Sequence, residues 1–255
     1  PPPAPPEIYT NAESSAASDV YKRQVHNVWI DGDFAYLVVD GAAASSGLRV
    51  LDISDPSAPY IVASFYGGSS FLHDVYVRDG LAFLSHWDAG LIILDVGNGI
   101  RGGSPTSPRE VSRIRIPGYL VHNAWYWPDA GYVFLGDEIN LPGKVRIVDV
   151  RDPSNPVEVG SLTRPGAAPH NFWVDEDRGI GYFAWYEAGV QAFDLTGELL
   201  GSLERQGRFI AESGYGIGGG CVAEQQQCAW APQLHGGKIC VSDMNTGLWK
   251  LTPQF

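Results

Sequence analysis

Four times along this chain a histidine is followed by an amide or acid residue and then, two positions on, by an aromatic. The four runs are His26-Asn27-Val28-Trp29, His73-Asp74-Val75-Tyr76, His122-Asn123-Ala124-Trp125 and His170-Asn171-Phe172-Trp173. Their starts lie 47, 49 and 48 residues apart. A degenerate fifth copy reads Gln227-Cys228-Ala229-Trp230, 57 residues after the fourth, and a Gly-rich insertion at 214–220 accounts for the excess. Imidazole titrates near neutral pH and is a common ligand of transition metals. If every repeat projects its histidine alike, His26, His73, His122 and His170 converge and suit zinc, copper or iron. A divalent transition metal is therefore the one cofactor the sequence raises, and none other is expected. The competing expectation is structural: each histidine, with Asn27, Asp74, Asn123 or Asn171 beside it, fastens its own repeat by hydrogen bonds.

Other residues able to do chemistry cluster at Gly-containing turns. They are His86, Trp87 and Asp88 in Ser85-His86-Trp87-Asp88, Glu138 in Asp137-Glu138, Trp185 and Glu187 in Trp185-Tyr186-Glu187, and Asp243 in Ser242-Asp243. Ser85, His86 and Asp88 do not make a hydrolytic triad among themselves, because neighbours on a strand point to opposite faces. No Gly-x-Ser-x-Gly elbow, His-Glu-x-x-His helix or phosphate loop is present. The reading therefore leans away from an enzyme. The repeated aromatic, Trp29, Tyr76, Trp125, Trp173 and Trp230, is expected to pack between repeats. Trp87, Trp127 and Trp185 fall outside that register and are candidates for a ligand platform.

Four short strands per repeat must position these residues. The first carries the histidine motif and ends at a turn such as Arg78-Asp79-Gly80. A second is Leu81–Ser85, followed by a hairpin with Gly90, Gly189 or Gly247, where a positive φ is needed. The third is the most apolar: 48–52, 91–95, 145–149 and 190–194. Asp-Pro turns at 55–59 and 152–156 then lead to a polar fourth strand, at 60–65, 109–114, 157–162 and 199–203. Four antiparallel strands every 48 residues or so predict an all-β fold, a β-propeller with repeats starting near 26, 73, 122, 170 and 227. First strands of a propeller line its channel. The histidine motifs and the second-to-third-strand hairpins then share one face, which is the expected ligand face.

The third strands Leu48-Arg49-Val50-Leu51-Asp52, Leu91-Ile92-Ile93-Leu94-Asp95 and Val145-Arg146-Ile147-Val148-Asp149 resemble the LVIVD repeat of bacterial propeller proteins. The resemblance runs over residues 25–252; Leu248-Trp249-Lys250-Leu251-Thr252 departs from it by lacking the final Asp. It implies a protein of the periplasm, cell surface or extracellular space, and the polar and aromatic groups gathered on the channel face point to a binding module for a peptide, glycan or small molecule. The alternatives are a metal-dependent enzyme using the histidine ring and a protein–protein scaffold without a small ligand.

With 17 Lys and Arg against 29 Asp and Glu, the net charge is −12, and no basic stripe marks a nucleic-acid partner. No apolar run reaches the ~20 residues that span a bilayer, so membrane insertion is not expected. Residues 1–24, rich in Pro, Ser and Ala, do not fit the repeat and are expected to be disordered or extraneous; the propeller is 25–255. The last repeat has three strands, and nothing before His26 reads as the strand that would complete it, so further blades are expected upstream. Of the three cysteines, Cys221 and Cys228 are a candidate disulfide in an oxidising compartment, with three free thiols as the alternative. Cys240 is expected to be a buried thiol.

Overall fold

The structure is a computed structural model that describes residues 25–39, 47–68, 71–116, 120–138, 143–164, 166–196, 208–212 (backbone only) and 228–254. Blade 1 is β1 (Val25–Asp31), β2 (Phe34–Val39), β3 (Gly47–Asp52) and β4 (Tyr60–Phe65). Blade 2 is β5 (Asp74–Arg78), β6 (Leu81–His86), β7 (Gly90–Asp95) and β8 (Arg109–Ile114). Blade 3 is β9 (Val121–Trp127), β10 (Tyr132–Asp137), β11 (Lys144–Asp149) and β12 (Val157–Thr163). Blade 4 is β13 (Phe172–Asp175), β14 (Ile180–Ala184), β15 (Val190–Asp194) and β16 (Arg208–Glu212). Blade 5 is β17 (Ala229–His235), β18 (Lys238–Asp243) and β19 (Gly247–Leu251). Each sheet is an antiparallel meander in chain order, so the fold is a five-bladed β-propeller. The fourth strand expected at 199–203 is instead β16; residues 199–203 lie outside the described residues, as does the Gly-rich insertion.

The apolar pattern explains the stacking. Every residue of β6 and β7 is buried, because blade 2 is covered on both faces. Four hydrophobic cores sit between successive blades, around Val50 and Leu84, Phe83 and Val133, Phe134 and Phe183, and Tyr182 and Val241. The outer face of blade 1 shows what happens without such cover among the described residues. Val28 and Ile30 are 47% and 62% exposed, whereas their counterparts Val75 and Val77 are 1% and 3% exposed. The aspartate that ends each third strand closes the following turn. Asp52, Asp95, Asp149 and Asp194 accept the amides of Ser54, Gly97, Arg151 and Thr196. Asp95 also takes the amides of Gly99, Arg101 and Gly103. Burial alone would raise its pKa, but these donors hold it far below the usual carboxylate range.

The inner strands carry the feature that builds the site. The β1–β2 ladder shifts register around His26, between Val25 and Asn27, and the β17–β18 ladder shifts around Trp230, between Ala229 and Ala231. The β9–β10 ladder shifts at the same level, where Asn123 and Val121 pair with successive residues of β10 and His122 is the extra residue. A β-bulge re-aims side chains that would otherwise alternate. His26 and Asn27 therefore face the same cavity, although strand geometry alone would separate them.

Candidate functional site

The histidines form a continuous stack at the end of the channel where the inner strands begin. Ring centroids are 4.3 Å apart for His26 and His73, 4.2 Å for His73 and His122, and 4.2 Å for His122 and His170. Trp230 follows His170 at 3.7 Å and takes the fifth place. Trp230 is thus the counterpart of the histidines, not of Trp29, which corrects the register of the fifth copy by three residues. The turn confirms it: Gly236-Gly237 stands six and seven residues after Trp230, as Asp79-Gly80 stands after His73.

Backbone ties run from blade to blade. His73 Nδ1 lies 3.1 Å from the carbonyl oxygen of His122, and His170 Nδ1 lies 2.8 Å from that of Trp230. A carbonyl only accepts, so Nδ1–H donates in both and Nε2 is the bare nitrogen. The bonds cross to the neighbouring blade; they do not fasten each histidine within its own. Burial, and then the neighbouring His26, lowers the His73 pKa to about 4; burial lowers that of His170 to about 4. His122, the most buried, is held well below its ordinary value by burial and by His170 and His73. The three rings are neutral at pH 7.

Glu138 reaches over the stack from the rim. Its Oε2 is 3.6 Å from His122 Nε2 and its Oε1 is 3.9 Å from His170 Nε2, while the Tyr186 hydroxyl donates to Oε1 at 2.9 Å. Burial, and then Glu138, raises the Tyr186 pKa, so the hydroxyl keeps its proton. One ligand atom from each of His73, His122 and Glu138 lies within 4.8 Å of the other two. Together with His26, Asn27, Asp74, His170, Asn171 and Trp230 they line a cavity of about 370 Å³. Asn27 donates to Asp74, whose pKa burial raises to about 7 despite that bond and the Val75 amide.

Deeper in the channel a second cavity, of about 410 Å³, includes Asn123 among its lining residues and is walled by Trp29, Tyr76, Trp125 and Trp173. These rings stack on one another at 4.3, 5.3 and 4.9 Å. Trp29 and Trp125 also pack against the inter-blade cores, so the repeated aromatic both seals blades together and lines the channel. At the far end Arg78 pairs with Glu176 at 2.6 Å across blade 3, and the Trp125 indole donates to the same carboxylate at 2.9 Å.

The LVIVD repeat matches residues 22–66, 72–115 and 131–163. The chain is an LVIVD-repeat β-propeller. No curated protein matches it. Its fold is similar to the C-terminal WD40 domain of Sif2, at 15% identity and a TM-score of 0.59, over 88% of this chain and 56% of that one. A protein from Lactobacillus plantarum is similar at 14% identity and a TM-score of 0.66, over 86% of this chain and 64% of that one. The computationally designed Ika4 protein is similar at 11% identity and a TM-score of 0.52, over 74% of this chain and 95% of that one. At such identities the likeness is one of fold. The LVIVD chain spans 56% and 64% of the length of the first two.

Several candidates of the LVIVD propeller lie elsewhere. Trp185 and Trp127 are buried in the core between blades 3 and 4. Tyr186, which sequence reasoning passed over, takes the rim place equivalent to Trp87 and Glu138. Tyr186 and Trp87 share a positive φ of 41°, which breaks strand alternation and turns their rings over the stack. Trp87 sits 5.1 Å from His73, and Tyr186 5.4 Å from His170. Asp88 is exposed and Glu187 half-buried, away from the cavity lining. His86 is buried, close against Gly67. Asp243 accepts the amides of Cys228, Asn245 and Thr246, which makes it a hairpin brace. Cys228 is disulfide-bonded, Cys240 is free and only half-buried, and Cys221 lies outside the described residues.

Proposed function

We propose that this propeller is a binding module of the cell envelope or exterior, and that a small polar ligand occupies the histidine-lined mouth of its channel. One observation carries the reading: four blades send a histidine and three of them its Asn or Asp partner into one cavity, roofed by Glu138 and Tyr186. Buried polar groups cost stability unless they are paired, so a channel that only had to hold blades together would be better filled with apolar side chains. The cavity volume falls within the range of small-molecule sites. The disulfide at Cys228 supports an oxidising compartment, as does the family resemblance.

A thermal-shift screen of sugars, short peptides, carboxylates and amines tests this. A ligand at a hundred times its Kd stabilises by about 2.7 kcal/mol, which is about 5–10 °C in a domain of this size. At least one compound should give such a shift, and Asn171→Ala should diminish it. A screen in which no compound acts, beside a protein that captures only macromolecular partners, favours the scaffold reading and overturns this one.

A further inference from the structure

The mouth of the channel also has the donor geometry of a metal centre, and this inference rests on the reading of that mouth as a binding site. His170 is fixed by the Trp230 carbonyl as the Nδ1–H tautomer, so its Nε2 presents a lone pair. That lone pair faces Glu138 Oε1 at 3.9 Å, beyond hydrogen-bond reach. Two acceptors facing each other repel unless a cation or a proton lies between them. Among the described residues, no lysine or arginine lines the cavity to serve as that cation.

We propose that one imidazole nitrogen each of His73 and His122 and the carboxylate of Glu138, with His170 as fourth donor, hold one transition-metal dication. Two further observations support it. The ligand atoms of the first three lie within 4.8 Å of one another; tetrahedral bonds of 2.0–2.1 Å separate ligands by about 3.4 Å, so the side chains need to draw in by about an ångström. The backbone bonds of His73 and His170 are the outer-shell contacts that ligating imidazoles characteristically make, and the Tyr186 hydroxyl does the same for Glu138. Three imidazoles and a carboxylate without thiolate select zinc, cobalt or nickel over calcium or magnesium. The remaining side faces the cavity and leaves a coordination position for a ligand's oxygen or nitrogen.

The test is titration of the chelator-treated full chain with Co²⁺ alone, followed by visible d–d absorption. One equivalent should bind with the intense bands of a tetrahedral or five-coordinate nitrogen-rich site. Glu138→Gln should weaken binding and change the spectrum. Tyr186→Phe, which removes only a hydroxyl and spares the fold, should weaken it about 10–100-fold. A silent titration, or variants that bind Co²⁺ as the wild type does, overturns the proposal. If the titration is silent but small compounds still stabilise the protein in chelator, the binding site stands without a metal; silence in both removes both.

Discussion

Nδ1 of His170 hydrogen-bonds the carbonyl oxygen of Trp230 at 2.8 Å, and the two rings stack at 3.7 Å, although they belong to different blades. The ring of motif residues is therefore also a belt between blades 4 and 5. Trp230→Ala removes the stack and opens space beside His170, so it should cost about 2 kcal/mol, below the full cost for a core tryptophan because the ring is half-buried. Trp230→His, which restores the repeat's own residue, should cost less. Urea unfolding of the two variants checks the order.

Acid should destabilise the metal-free protein. His73, His122 and His170 have folded pKa values below the unfolded 6.5, so the folded state binds fewer protons than the unfolded one between about pH 6.5 and 4. Their contribution is complete above pH 6.5 and is lost as pH falls through that window. Asp74, raised to about 7, runs the other way and stabilises as pH falls toward 3.8. Three groups against one leave a net loss. Urea midpoints in chelator should drop from pH 7 to pH 5, less steeply in His122→Gln and more steeply in Asp74→Asn. A midpoint that rises on acidification contradicts the burial of these imidazoles.

Much of this was legible because the repeat writes itself four times: the His-Asn or His-Asp pair, the apolar third strand and its terminal aspartate recur in the same order. The aspartate's recurrence has a physical cause, since each one caps the turn that follows its strand. The fifth copy misled because Cys228-Ala229-Trp230 imitates Asn-Val-Trp. Counting back from the turn at Gly236-Gly237 would have placed Trp230 in the histidine position. Two things were hidden from pattern reading. The bulges place His26 and Asn27 on one side, against the alternation rule, and the positive φ at Tyr186 puts that ring over the site and Trp185 into the core. Glu138 was named as a candidate, but its contact with His122 and His170 needs blades 3 and 4 at once.

Gly90 and Gly247 occupy equivalent hairpins, both with positive φ, of 91° and 89°. A Cβ at Gly90 would collide with the Ile114 carbonyl in β8, whereas one at Gly247 meets nothing within 4 Å. Blade 5 has no fourth strand among the described residues to press on it. Gly247→Ala should therefore cost only the backbone strain, about 1 kcal/mol, and Gly90→Ala clearly more. Equal losses in calorimetry would refute the packing assigned to β8.

Cys228 is bonded and Cys240 free, so non-reducing mass spectrometry of native material should find one alkylatable thiol. Reduction should lower stability by about 2.5 kcal/mol if the closed loop is the eight residues 221–228. Three alkylatable thiols contradict the pairing.

The claim on which the site depends is that His73 and His170 are neutral, with Nδ1 protonated and Nε2 bare, that of His170 toward Glu138. Long-range ¹H–¹⁵N correlation of ¹⁵N-histidine-labelled, metal-free protein at pH 7 reads this directly. His73 and His170, assigned through His73→Gln and His170→Gln, should show the Nδ1–H tautomer. An imidazolium pattern, or an Nε2–H tautomer, at either residue contradicts the account.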